Sequence, residues 1–224
     1  MDVACGTGTS AIPAAEIVGD RGQVIGVDIA DKLMALARKK AHKKNLSNIT
    51  FQWGDMTNLE FEENSFDAVI CVFAIFFVKE MEEQISKLWR LVRTGGKLAI
   101  TTWGPNIFAP IYSIWNQDLQ QHRPDLFSAF NPWDRITTPE AVQKLLIDGG
   151  AKNVEVEAEN GFQKLENPED WWKIAMGSGL RWSIEQMKSD EAQCIRESNL
   201  EWIRGRNIDA VETSVIYAVA QKSQ

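Results

Sequence analysis

The sequence predicts an α/β fold: a doubly wound, mostly parallel sheet with a final antiparallel strand and helical insertions in the second half. Three observations carry this. Short apolar runs alternate with longer amphipathic ones over the first hundred residues, the βαβα rhythm of a parallel sheet covered on both faces. The run Phe66–Val72 (FDAVICV) is apolar almost throughout, as a strand buried on both sides is. Glycines and carboxylates recur just after successive strands, where open α/β sheets bind ligands.

Taken in order, the chain opens MDVACGTGTSA, a glycine turn with only Met1 to Ala4 before it. Ser10 to Val18 reads as the helix leaving that turn, with Pro13 in its first turn, where a missing N–H is harmless. Gln23 to Asp28 is a strand ending in a carboxylate, and Ala30 to Lys44 the next helix. Ile49–Trp53 and Phe66–Val72 are further strands. Lys79 to Arg93 is a helix with Met81, Ile85, Leu88, Trp89 and Val92 on one stripe. Gly95-Gly96 is read as its stop, and Lys97 to Trp103 as the following strand. A helix over Ile111–Gln121 follows. Thr138-Pro139 caps another that Gly149-Gly150 closes, and Asn153–Glu159 alternates as a half-exposed strand. Asn167-Pro168 precedes EDWWKIAMG, Ser183 with Gln186 reads as a capping box opening a helix to about Arg204, and Val211–Gln221 is the last strand.

The expected organisation is one domain over 1–224: a cofactor-binding core at 1–103, helical insertions at 104–136 and 160–208, and a last strand at 211–221. The chain has 224 residues, 44% of them hydrophobic, enough for a real core. A net charge of −7 argues against nucleic acid as a partner. Cys5, Cys71 and Cys194 lie far apart, with neither metal spacing nor a disulfide framework, so no metal is expected and the location expected is cytoplasmic. The longest apolar run, Ala68–Val78, falls short of the ~20 residues that span a bilayer, and no signal peptide is evident.

Four features converge at strand ends. Asp2 precedes Cys5-Gly6-Thr7-Gly8, whose N–H groups and helix dipole suit an anionic group. Asp28, ~20 residues beyond, is placed to accept the two hydroxyls of a ribose. Asp55 is placed to accept from the exocyclic amine of an adenine, with Met56 against its ring, and Val72 and Phe73 end the fourth strand. Together they outline a pocket for an adenosine with a small zwitterionic tail.

DVACGTG, VIGVDIA, GDMTNLEFEENSFDAVICVFAIFFV and LWRLVRTGGKLAITTW, in that order, resemble the motifs of class I S-adenosylmethionine-dependent methyltransferases. The type 11 group, with the ubiquinone and menaquinone C-methyltransferases, is the most similar. The resemblance covers residues 1 to about 103, and the final strand loosely. It implies the Rossmann-like class I methyltransferase fold, S-adenosylmethionine as cofactor and S-adenosylhomocysteine as product. By position, Asp2, Ala4, Cys5, Gly6 and Gly8 hold the methionine end and Asp28 the ribose with Ile29 beside it. Asp55 and Met56 hold the adenine, and Val72 and Phe73 line the path to the methyl group.

Ala4 stands where the family has its first glycine, and Ile75-Phe76-Phe77 where several relatives carry histidine or asparagine. The resemblance also implies upstream helices over the cofactor. Met1 stands where an apolar residue precedes the acid, so this chain is expected to lack the usual N-terminal segment and to hold the cofactor in an open site.

The acceptor is expected to be a small apolar or aromatic molecule, methylated by in-line displacement. Seven of the nine tryptophans lie after residue 100. With Phe108, Tyr112, Phe127 and Phe130 they could wall an acceptor pocket, for which Phe77, Trp103, Trp133, Arg135 and Trp172 are the candidates. His122 is the candidate general base, without an evident partner. One alternative is a cofactor-binding protein of the same fold, truncated or without turnover. Another is an NAD-dependent oxidoreductase, since Gly6, Gly8 and Ala11 also satisfy G-x-G-x-x-A; the acid at Asp2 argues against it. Lys39-Lys40 and Lys43-Lys44 read as cations completing a helix dipole on a solvated face.

Overall fold

The computed structural model describes residues 1–128 and 131–223. In chain order the strands are β1 (Asp2–Val3), β2 (Val24–Asp28), β3 (Ile49–Trp53), β4 (Phe66–Val72), β5 (Val92–Trp103), β6 (Val154–Glu159), β7 (Phe162–Lys164), β8 (Ala210–Glu212) and β9 (Val215–Gln221). The helices are α1 (Ala11–Val18), α2 (Asp31–Lys43), α3 (Met81–Leu91), α4 (Ile111–His122), α5 (Pro139–Asp148), α6 (Asp170–Gly177), α7 (Arg181–Glu185) and α8 (Ser189–Arg206). Two compact units result. The first comprises Met1–Trp103, Arg135–Ala158 and Ile216–Gln224, and the second Gly104–Asp134 and Glu159–Val215.

The first unit holds a seven-stranded sheet in the order β3-β2-β1-β4-β5-β9-β6. β1 pairs in parallel with β2 (Asp2 opposite Gly26) and with β4 (Asp2 opposite Ile70), and β2–β3 and β4–β5 are also parallel. The strand order therefore reverses beside β1, which makes that point the crevice for ligands. β9 runs antiparallel to β5: Gly95 and Gly96 bond Lys222 at one end, while Gly104 bonds Ser214 at the other.

Side-chain pattern explains these elements. Val69 and Cys71 of β4 are fully buried, as the apolar run requires. α1 packs small residues: Ala11 and Ala15 cluster with Cys5 and Val24. α3 buries Met81, Ile85, Leu88 and Leu91 on one stripe, and burial of that apolar stripe favours an amphipathic helix here. Thr138 Oγ1 accepts the Ala141 N–H at 3.2 Å with Pro139 at the first helical position, the cap expected for α5.

The second unit builds its core on α4, α6 and α8. Trp115 and Trp171 are fully buried. The Trp171 indole donates to Asn199 Oδ1 at 2.8 Å, and Asn199 Nδ2 donates to Asp118 Oδ2 at 2.7 Å. Burying these polar groups is tolerable because each has a partner.

Three boundaries differ from expectation. Gly95-Gly96 does not stop α3; the helix ends at Leu91 and both glycines lie inside β5, bonded to Lys222. The long helix does not begin at Ser183, which lies within α7. It begins at Ser189, where the Glu191 carboxylate accepts the Lys188 N–H at 2.8 Å and caps the first turn. The strand expected over 211–221 is two strands. It breaks at Thr213-Ser214, so that β8 pairs antiparallel with β7 while β9 joins the seven-stranded sheet.

Candidate functional site

The site grows from the ends of β1, β2, β3 and β4. After β1 the chain turns left-handed three times, at Ala4 (φ +56°), Gly6 (+52°) and Gly8 (+76°). Gly6 can turn so without a steric cost, whereas the alanine at position 4 accepts roughly 1–2 kcal/mol of strain to do the same. At Gly8 space matters as well: a Cβ would lie 3.0 Å from Ile12 Cδ1 and 3.2 Å from Ala37 Cβ. The turn is held by Cys5 N–H to Val27 O at 3.0 Å and Gly8 N–H to Cys5 O at 2.9 Å.

Asp28 organises the crevice. Its Oδ2 accepts the Gly6 N–H at 2.7 Å and its Oδ1 the Ala30 N–H at 2.8 Å, so one carboxylate ties β2 to the turn after β1. An ionised carboxylate has about four acceptor positions, which leaves further lone pairs for a ligand. Asp2 is buried; its Oδ2 accepts from Ser10 Oγ at 2.6 Å, while Oδ1 has no partner. Burial pushes its carboxyl up to about 6, against the opposing hydrogen bond from Ser10.

Asp55 is exposed at the end of β3. Its Oδ1 accepts from the Thr57 backbone N–H and hydroxyl, both at 2.8 Å, and these bonds, the backbone one first, hold its carboxyl below the usual range. The loop is anchored from beneath by Gln84, a buried residue of α3 whose Nε2 donates to Met56 O at 2.6 Å. After β4, Phe73 adopts φ +52° and stacks on Trp103 with ring centroids 3.9 Å apart. A bulky residue in the left-handed region is uncommon and points to a shaped site.

These groups line one cavity of about 490 Å³. It brings together Ala4, Gly6, Asp28, Ile29, Asp55, Met56, Phe73 and Phe77. Gly54, next to Asp55 and Met56 in the strand-end motif, completes the lining with Leu33, Thr57, Ala74 and Val78, and these last four escaped the sequence reading. Of these, Leu33 carries a signal: it is an apolar residue one turn into α2, off the buried stripe of Met34, Ala37 and Ala41. Gln84 carries another, as an amide on an apolar helix stripe.

Four residues expected at the cofactor are not among those lining this cavity. Asp2 is sealed by Ser10, Cys5 packs among Ala11, Ala15 and Val24, Gly8 lies against Ile12 and Ala37, and Val72 pairs with Thr101 in the sheet. Among the acceptor candidates, Phe77 is exposed on a short 3-10 turn, and Trp103 carries the Phe73 stack. Arg135 pairs with Glu82 at 2.5 Å and so is anchored to α3.

Trp133, Trp172 and His122 belong to the second unit. Trp172 lies 6.2 Å from Trp115, Trp133 is half-buried, and His122 is exposed at the end of α4. In the same unit Phe108 meets Trp171 edge-on and Tyr112 Oη accepts from Asn131 Nδ2, while Phe127 is half-buried. Phe130 lies outside the described residues. No group of metal-ligating side chains and no helix long and apolar enough to cross a membrane occurs among the described residues.

Residues 1–96 match the family described as a methyltransferase domain. A demethylmenaquinone methyltransferase of Oceanobacillus iheyensis is 35% identical over 98 residues, which are 44% of this chain and 41% of that protein. The match thus spans less than half the length of that relative. Among solved structures, the YcgJ protein of Bacillus subtilis aligns over 100% of this chain and 91% of its own, with a TM-score of 0.65 at 17% identity. A phosphoethanolamine N-methyltransferase of Haemonchus contortus, solved with S-adenosylhomocysteine, covers 100% of this chain with 48% of its own, at a TM-score of 0.60 and 21% identity. The chain thus has a Rossmann-like sheet and is similar over residues 1–96 to the methyltransferase-domain family.

Proposed function

We propose that this protein is an S-adenosylmethionine-dependent methyltransferase acting on a small apolar or aromatic acceptor. The observation that carries the reading is one cavity lined by the ends of four strands, with Asp28 in its wall bonded to the glycine turn. Its size suits a nucleoside-sized ligand. The donor set also fits the cofactor. Asp28 has acceptor positions left for a ribose diol, ionised Asp55 is an acceptor for an amine, and Ile29, Leu33 and Met56 offer apolar contact to a flat base. The left-handed turn at Ala4–Gly6 holds the backbone open at the methionine end.

Bound S-adenosylmethionine supplies an already activated electrophilic methyl group. The protein's part is therefore alignment and exclusion of water more than bond-breaking. Asp28 and Asp55 fix the nucleoside, and Phe73, held by its stack on Trp103, shapes the wall where an acceptor would approach. A base is needed only for an acceptor that must lose a proton, and His122 is the residue proposed for that task. Residues 104–136 and 160–208, rich in tryptophan, are proposed to choose the acceptor. The relative named demethylmenaquinone methyltransferase supports a quinol among the first acceptors to try. Two buried cysteines and one exposed, none of them bonded, support a reducing, cytoplasmic setting.

Calorimetric titration with S-adenosylhomocysteine and, separately, with NAD tests the cofactor. Binding of the first and not the second is expected. The reverse would make the chain an oxidoreductase on the same fold.

A further inference from the structure

Helix α2 carries a charge excess that nothing in the cofactor site uses. Residues Asp31 to Lys44 hold six of the chain's 24 Lys and Arg but one of its 31 Asp and Glu, in a protein of net charge −7. The helix buries Met34, Ala37 and Ala41 against the sheet. Helical geometry then sets Lys32, Leu36, Lys39 and Lys43 on the opposite side, a stripe ~16 Å long at 1.5 Å per residue. All four are exposed, Leu36 to 48%.

The other cations of the helix are committed. Arg38 donates to Phe51 O, Lys40 to Thr7 O and Oγ1, and Lys44 pairs with Glu16. Lys32, Lys39 and Lys43 have no ion pair or hydrogen bond to any described residue. A favourable helix dipole accounts for cations in the last turn, not for Lys32 and Lys39, nor for a leucine exposed among them.

We propose that this face of α2 docks the protein on a bilayer surface bearing anionic phospholipids. The three lysines match a negative surface potential, and Leu36 lies between them, where an apolar side chain reaches below the headgroups. A nucleic acid fits less well: the stripe offers no arginine fork for base edges and no aromatic ring for stacking. Lys40 joins this helix to Thr7, so the docking face and the glycine turn share one rigid element. The inference stands on the helix face alone and not on the methyl-transfer reading.

The test is sedimentation of the full chain with vesicles of phosphatidylcholine, with and without phosphatidylglycerol, over a range of salt. Binding is expected to the anionic vesicles only and to weaken as salt screens it. Each surface lysine contributes roughly fivefold to partitioning, so Lys39→Gln with Lys43→Gln lowers it about 25-fold. Lys97→Gln with Lys152→Gln makes the same charge change away from the stripe and leaves it unaltered. Thermal melting of both double variants checks that they fold as the parent does. Equal binding to neutral vesicles, equal loss in both double variants, or capture of an RNA or DNA oligomer without vesicle binding overturns the proposal.

Discussion

Replacing Asp28 with asparagine separates what this carboxylate does for the fold from what it does for a ligand. Its two oxygens accept one backbone N–H each, from Gly6 at 2.7 Å and from Ala30 at 2.8 Å, in a side chain that is 8% exposed. An asparagine keeps one acceptor and turns an NH2 group toward the other N–H. A hydrogen bond to a charged group is worth about 1.5–3 kcal/mol, so Asp28→Asn should cost about 2 kcal/mol of stability. For a chain of this size that lowers Tm by about 4–8 °C, readable by differential scanning fluorimetry. Loss of one contact to the ribose diol should separately weaken S-adenosylhomocysteine by about 10- to 100-fold in calorimetry. An unchanged Tm refutes the hydrogen-bonded geometry. A lowered Tm with an unchanged Kd refutes the ribose assignment while leaving the geometry intact.

Further expectations follow from other buried groups. Asp2, pushed up to about 6 by burial, holds its proton in the folded state at pH values where the unfolded chain has lost it, so stability falls as pH rises from about 4 to about 6. The loss is about 3 kcal/mol, and Asp2→Asn should abolish it in urea melts taken at pH 4 and pH 7. Asn199→Ala strands the buried Trp171 indole and Asp118 carboxylate together, and should cost about 3 kcal/mol, a Tm drop of roughly 6–12 °C. Gly6→Ala should cost roughly 1–2 kcal/mol for its left-handed backbone alone; Gly8→Ala should cost more, because Ile12 and Ala37 crowd its Cβ, and chemical denaturation ranks the two.

The parallel half of the fold was legible because its signals are local. The apolar run of β4, the stripe of α3 and the Thr138-Pro139 cap each act within one element. What escaped depends on partners distant in sequence. Nothing near Gly95-Gly96 says that Lys222 will bond both, which keeps them in a strand instead of ending a helix. The break at Thr213-Ser214 exists because β8 answers to β7 and β9 to the large sheet. Ser183 and Gln186 have the composition of a cap, but Glu191 accepts the Lys188 N–H and starts the helix later.

The same division runs through the site. Asp28, Asp55, Met56 and Phe73 could be placed because strand ends face one edge of a parallel sheet. The sealing of Asp2 by Ser10 and the burial of Cys5 beneath α1 come from packing of the helix that follows the turn, and motif spacing does not report it. Ala74 and Val78, which also line the cavity, flank a 3-10 turn that follows the left-handed Phe73, a local geometry that apolar patterning does not report.

The most direct test of the central claim is transfer of labelled methyl from S-adenosylmethionine to a panel of reduced naphthoquinones, phenols and amines. Label is expected in the organic extract with at least one apolar or aromatic acceptor, and not with Asp28→Ala. Tight S-adenosylhomocysteine binding without transfer to any acceptor would contradict it, and would leave a cofactor-binding protein of the methyltransferase fold.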